Sequence, residues 1–241
     1  MRRTDYGYDA PYALVIFACV AIASGVAAVV AWWNGSGAAA PMTVYCLFFA
    51  ANATSFFYTT RRGKFIEWER ILDGLSLGGG EQVLDMGCGR GAVLMAVARR
   101  LTTGRAIGVD IWSMRDQSGN ASDVTVRNAA LESVSDRVEI ETADMRALPF
   151  ADASFDVVVS SLAIHNLRSA ADRALAVGEG FRVLKPGGRL IIADIRSTSA
   201  YVARLRALGV SNLTRRRLGW RFWWGNPVAA TTLVTATKPA T

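Results

Sequence analysis

The sequence predicts an α/β domain built on an open, mostly parallel sheet and preceded by two apolar helices. Three observations carry this. The stretch Val83 to Gly91, VLDMGCGRG, runs an apolar strand pattern into an acidic residue and three glycines in five positions. Further apolar strand patterns follow at Ala106 to Val109, Arg137 to Ile140, Phe155 to Ser161 and Val183 to Ile195, with helical stretches among them. Between Asp9 and Arg61 there is no charged side chain over 51 consecutive residues.

That uncharged run holds two apolar stretches, Pro11 to Trp33 and about Ala38 to Tyr58. Each reaches the roughly 20 residues needed to cross a hydrocarbon core about 30 Å thick. Asn34 to Gly37, NGSG, reads as a turn between them. Tyr12, Trp32, Trp33 and Tyr58 sit near the predicted ends, where amphipathic rings favour the interface. The expectation is a transmembrane hairpin over residues 1–60 and a second domain over 61–241. Arg2 and Arg3 precede the first span, Arg61, Arg62 and Lys64 follow the second, and the connecting loop has no basic residue. Both termini and the domain are therefore expected on the cytoplasmic side. A cleaved signal peptide has an apolar core of about 7–15 residues, shorter than the first span. A helical pair that covers the protein's own surface is the other alternative. Cys19, Cys46 and Cys88 show neither metal-ligand spacing nor a disulfide framework, so no metal is expected.

In the second region Gly87, Gly89 and Gly91 lack Cβ atoms, so the turn can take otherwise closed φ values and bring its N–H groups close to a ligand. Ala92 to Leu101 is rich in Ala, Leu and Met and ends in Arg99 and Arg100, which suits a helix with a positively charged last turn. A strand, glycine loop and helix of this kind bind ligands outside the carboxyl ends of the strands. The glycines alone also satisfy the dinucleotide pattern G-x-G-x-x-G/A. Asp110, closing the second strand, fits either cofactor class as an acceptor for ribose hydroxyls.

The later motifs separate the two classes. Glu141 to Phe150, ETADMRALPF, places Asp144 after the third strand pattern; FDVVVSS reads as a buried strand; VLKPGGRLIIADI gives a helix end, a Pro-Gly-Gly turn and another buried strand. With Asp85 and the three glycines, Asp110, Asp144 with Met145, FDVVVSS and KPGG at Lys185 to Gly188, the chain from about Glu67 to Lys238 resembles the class I S-adenosylmethionine-dependent methyltransferases. It is similar to their quinone, sterol and small-molecule branch. The resemblance implies a Rossmann-like seven-stranded sheet, mostly parallel, with an antiparallel last strand. It implies S-adenosylmethionine as cofactor, with Gly87, Cys88 and Gly89 at its methionine part and Asp85 near its amino group. Asp110 would hold the ribose hydroxyls, Ile111 or Trp112 would cover the adenine, Asp144 and the Met145 N–H would read its edge, and Ser161 would lie at the methionine end. Each motif also has a plainer reading as tight packing, a helix cap or a closed turn; Cys88 needs no chemical role and fills space.

Charge is regional. Residues 201–241 carry seven basic and no acidic side chains, matching the net charge of +7. Within them Arg215 to Pro227, RRRLGWRFWWGNP, is expected as the sixth strand and Ala229 to Lys238 as the seventh. Its arginines read either as a solvated face over packed aromatics or as contacts for anionic lipid headgroups. A basic chain raises nucleic-acid binding, but no nucleic-acid motif is present and none is expected.

Methyl transfer from a sulfonium needs positioning and exclusion of water, and a base only where the acceptor must lose a proton. His165, the only histidine, follows the fourth strand and reads either as that base or as a structural or substrate-contact residue, with Asn166 a comparable polar group. Ser113 to Asn120 carries a Ser-Gly-Asn break that reads as an extra loop over the adenine, with Asp116, Gln117 and Asn120 available, or as a surface insertion. The expected activity is methyl transfer to a small, apolar or lipid-like acceptor at a membrane. The alternative is a catalytically silent S-adenosylmethionine-binding or scaffold protein.

Overall fold

The computed structural model describes residues 4–113 and 117–240. Arg2, Arg3 and Asp116, which the sequence reading uses, lie outside the described residues.

Two antiparallel helices open the chain, α1 (Pro11–Trp33) and α2 (Ala39–Tyr58), joined by the expected turn. Pro11 at the first helical position costs nothing, because its missing N–H would have no partner there. Small residues make the seam: Ala21, Ala28, Ala31 and Ala39 are buried, and a Cβ on Gly25 would stand 3.1 Å from the Cys46 sulfur. The outer faces expose Ile22, Val26, Val29, Leu47 and Phe48. A helix that is apolar all round belongs in a protein core or a bilayer, and these faces are in no core. Both helices are long and apolar enough to cross a membrane.

The second helix does not stop at its apolar end. A single π turn, Thr59–Gly63, carries it into α3 (Lys64–Asp73), so one helical run spans 35 residues from Ala39 to Asp73. Such turns widen the helix locally and shift which face its side chains present. The boundary expected at residue 60 therefore falls inside a continuous helix.

The sheet follows: β1 (Gln82–Met86), α4 (Ala92–Ala98), β2 (Arg105–Asp110), α5 (Ser122–Leu131), β3 (Val138–Thr142), β4 (Phe155–Ser161), α6 (Ala170–Arg182), β5 (Leu184–Asp194), α7 (Thr198–Ala207), β6 (Leu213–Arg217) and β7 (Thr232–Thr237). Strand order is β3-β2-β1-β4-β5-β7-β6, with β7 antiparallel to both neighbours and the rest parallel. This is the Rossmann-like, seven-stranded sheet. β1 and β4 are adjacent, and the chain winds outward from them in opposite directions; a ligand crevice forms at such a reversal.

Two boundaries differ from the expectation. Lys185–Gly188 lies inside the long strand β5 as a bulge: Phe155 pairs with Leu184 but Val157 pairs with Arg189. The Lys185 ammonium is held there by Asp156 at 2.8 Å. The sixth strand covers only Leu213–Arg217, with Arg215, Arg216 and Arg217 exposed, and the aromatic half of RRRLGWRFWWGNP is a loop. That loop docks on the base of the helical pair. Trp224 meets Phe56 edge to face, Trp220 stacks on Tyr58, the Thr59 hydroxyl donates to the Trp223 carbonyl at 2.6 Å and Asn226 donates to Asn52 at 2.9 Å. Phe222 and Trp224 are buried, so most of these rings serve packing.

Candidate active site

One cavity gathers most of the residues expected at the cofactor. Asp85, Gly87, Cys88, Gly89, Asp110, Ile111, Asp144, Met145 and Ser161 line it, and so do Gln117, Asn120 and Asn166. They come from the carboxyl ends of β1, β2 and β4 and from the loop after β3, as the strand reversal dictates.

The glycine loop works by close approach. Gly87 has φ +75°, and a Cβ there would lie 2.3 Å from the Ala163 Cβ; at Gly89, φ +51°, it would lie 2.5 Å from Gln117 Oε1. Only glycine satisfies both conditions at once. The expectation that the loop's N–H groups face a ligand is not met. Gly87 and Cys88 donate to the Val109 carbonyl at 2.8 and 3.1 Å, Gly89 donates to Asp110 Oδ2 at 2.9 Å, and Arg90 donates to Gln117 Oε1 at 3.0 Å. The loop is braced from within.

Asp85 is the exceptional group. It is 1 % exposed, and neither carboxylate oxygen has a hydrogen-bond partner. Burial, with the nearby Asp110 carboxylate adding repulsion, pushes its pKa up to about 8. An orphaned buried carboxylate facing a cavity fits an ammonium ligand, which would restore the lost solvation as a charge pair. The amino group of S-adenosylmethionine is such a ligand, so the residues present fit the cofactor.

Asp110 has both oxygens anchored: Oδ1 accepts from the Trp112 N–H at 2.6 Å and from Asn120 at 3.2 Å, Oδ2 from Gly89. Each carboxylate oxygen retains acceptor capacity for a ribose hydroxyl. Ile111 is 61 % exposed and lines the cavity. Trp112 does not. Its backbone turns to φ +60° and its indole N–H donates to Thr142 at 2.7 Å, which aims the ring away. Of the two residues expected over the adenine, the geometry favours Ile111. Asp144 is gripped by the Arg146 guanidinium at 2.6–3.0 Å, which holds its carboxyl below the usual range. Burial pushes the Cys88 thiol up, so it stays protonated and fills space.

His165 is not brought to this cavity. Its Nδ1 sits 2.5 Å from Oδ1 of Asp194, the fully buried end of β5, whose Oδ2 accepts from the His165 N–H at 3.1 Å and from the Tyr201 hydroxyl at 3.0 Å. The histidine fastens the turn after β4 to the end of β5. The proton-accepting role expected of it has no geometric basis, whereas Asn166 does reach the cavity wall.

Sequence reasoning missed a whole wall of the cavity. Lys64, Phe65, Trp68 and Glu69 of α3, with Asp9 just ahead of α1, line the side nearest the helical pair. Lys64 is buried and donates to Asp9 at 2.5 Å; Trp68 donates to Ser161 Oγ at 2.8 Å. The available signal was the i, i+4 spacing of Lys64 and Trp68 on a helix continuing from the second apolar span.

Residues 84–192 match the family model described as a methyltransferase domain. The chain is 39% identical over 152 residues to the methyltransferase GfsG of Streptomyces halstedii, covering 62% of this chain and 51% of that one. It is 32% identical over 126 residues to the ubiquinone/menaquinone biosynthesis C-methyltransferase UbiE of Roseobacter denitrificans, covering 52% of this chain and 47% of that one. The chain thus spans about half the length of the curated relatives it matches. Among solved structures, geranyl diphosphate C-methyltransferase from Streptomyces coelicolor, in complex with Mg2+, geranyl diphosphate and S-adenosyl-L-homocysteine, superposes with a TM-score of 0.59 at 17% identity. That superposition covers 74% of this chain and 80% of the other and shows the shared fold. Residues 84–192 match a methyltransferase domain, and S-adenosylmethionine is the cofactor that this match and the residues of the cavity indicate.

Proposed function

We propose that the chain is a membrane-anchored methyltransferase acting on a small, apolar or lipid-like acceptor, with residues 1–60 as anchor and 61–241 as catalytic domain. The carrying observation is that the cavity is walled by Lys64, Phe65 and Trp68, on the helical run that leaves the second apolar span, and by Asp9, which precedes the first. An acceptor held in the bilayer would meet the site without crossing water. The outer faces of α1 and α2 carry no charged side chain, and the exposed Thr54 hydroxyl donates back to the Ala50 carbonyl, which supports insertion; exposed Arg61 and Arg62 after α2 support a cytoplasmic placement of the domain and both termini. The relative named for ubiquinone/menaquinone biosynthesis is compatible with such an acceptor.

Bound S-adenosylmethionine supplies an electrophilic methyl group on a sulfonium. The chain's residues supply the rest: Asp85 charge-pairs with the amino group, Asp110 receives the ribose hydroxyls, and Ile111 and Met145 flank the adenine. Ser161, Leu162, Ala163 and Asn166 line the space where an acceptor would lie beside the methyl group, and Trp68, held on Ser161, would help to exclude water from it. Comparing lipid extracts of cells with and without the gene tests the reading. A lipid-soluble compound that is one methyl group lighter when the gene is absent is expected; a difference confined to water-soluble metabolites contradicts the acceptor class.

A further inference from the structure

The segment Asp5 to Asp9, just ahead of the first apolar helix, turns at Gly7 and lies against Arg90 of the glycine loop. Asn128, on α5 and 2 % exposed, joins the two: its Oδ1 accepts from the Asp5 N–H at 3.1 Å, and its Nδ2 donates to the carbonyls of Asp5 and Arg90, both at 2.9 Å. Arg90, buried between Gly89 and Gly91, pairs with Asp5 Oδ2 at 2.6 Å and donates to the Ser118 carbonyl at 2.7 Å. Gln117 makes a second bridge, donating to the Tyr6 carbonyl at 3.0 Å while accepting the Arg90 N–H at 3.0 Å. Tyr8 and Ser118 exchange backbone and hydroxyl bonds, and Asp9 forms an antiparallel bridge with Gln117. The same Asp9 is tied to Thr60 and Lys64 beyond the second span. Contact is close enough that a Cβ on Gly7, φ +65°, would stand 2.8 Å from Arg90 Nη1 and 3.0 Å from the Ser118 carbonyl.

We propose that Asp5–Asp9 is a positioning clasp for the cofactor loop: it fixes Arg90 and Gln117, and through them the Gly87–Gly91 backbone, so that cofactor binding and seating of the anchor's first residues on the domain reinforce each other. The Asp5 carboxylate is 67 % exposed and its ion pair contributes little by itself. The coupling lies mainly in the buried Asn128 and Gln117 bridges, and because it is a linkage it acts equally in both directions.

The test uses the full chain in detergent micelles with S-adenosylhomocysteine as probe. Gly7→Val wedges the clasp off the loop without altering a cavity residue, and Asp5→Ala removes one tie with less risk to folding. Gly7→Val is expected to weaken calorimetric binding about tenfold and Asp5→Ala about twofold, at a temperature where circular dichroism shows both ligand-free variants to be folded. In the unaltered chain, saturating S-adenosylhomocysteine is expected to slow amide exchange at Tyr8 and Asp9 by a similar factor. A Gly7→Val dissociation constant within twofold of the parent, or exchange indifferent to ligand, overturns the clasp alone. Failure of the unaltered chain to bind overturns the cofactor assignment and the clasp with it.

Discussion

Cofactor binding should be linked to a proton on Asp85. With its pKa pushed up to about 8, this buried carboxyl is about 90% protonated at pH 7 in the ligand-free chain. An ammonium ligand requires the ionised form. Binding at pH 6.5 must therefore work against about 2 kcal/mol of ionisation, from 1.36 kcal/mol per pKa unit over roughly 1.5 units, and release about one proton. Affinity for S-adenosylhomocysteine is expected to fall roughly fifteenfold from pH 8 to pH 6.5. Calorimetry in two buffers of different ionisation enthalpy measures both quantities. Asp85→Asn should bind weakly at pH 8 and lose the pH dependence. Stability supplies an independent sign. A carboxyl whose folded pKa is raised contributes stability below its unfolded value, near 3.8, that is lost as pH rises through about 8. The ligand-free Asp85→Asn chain should therefore gain on the parent as pH increases above about 4, by at most about 6 kcal/mol above pH 8. Affinity unchanged between pH 6.5 and 8, with no buffer-dependent heat, would refute the assignment of Asp85 to an ammonium.

Other substitutions separate the cavity from its supports. Asp110→Ala removes the acceptor for three donors and the proposed ribose contact, and should weaken S-adenosylhomocysteine binding at least tenfold by calorimetry. Gly87→Ala forces a Cβ onto Ala163 at positive φ; a loss of about 2 kcal/mol in stability, read by thermal unfolding, should accompany weaker binding. His165→Ala strips Asp194 of a partner and should lower the melting temperature by roughly 4–8 °C while leaving cofactor affinity within twofold. The full chain should remain in the membrane pellet through an alkaline carbonate wash; release into the supernatant would contradict the anchor.

Local patterns were legible where local chemistry decides. The end of α1 at Trp33 was marked by Asn34 and Gly35, and β4 matched FDVVVSS residue for residue. Asp110 could be placed because it closes an apolar strand. What escaped depends on contacts far apart in sequence. Asp194 is 29 residues from His165, yet it alone decides that the imidazole serves packing. Asp5 meets Asn128 across 123 residues, so the clasp leaves no periodic trace. The aromatic run Trp220 to Trp224 looked like a strand, but its rings are drawn to Phe56 and Tyr58 at the base of the helical pair, and that tertiary burial overrides alternation. Between Ile111 and Trp112 the sequence could not choose, because the turn that separates them rests on a single residue at positive φ.

The most direct test of the membrane-facing methyltransferase is transfer of a labelled methyl group from S-adenosylmethionine, using the full chain in lipid nanodiscs with membrane-lipid or water-soluble extracts as acceptor sources. Label recovered in an organic-phase product with the membrane extract, and abolished by Asp110→Ala, is the expected result. Label appearing only in water-soluble product, or no transfer by a chain that binds S-adenosylhomocysteine, would contradict it.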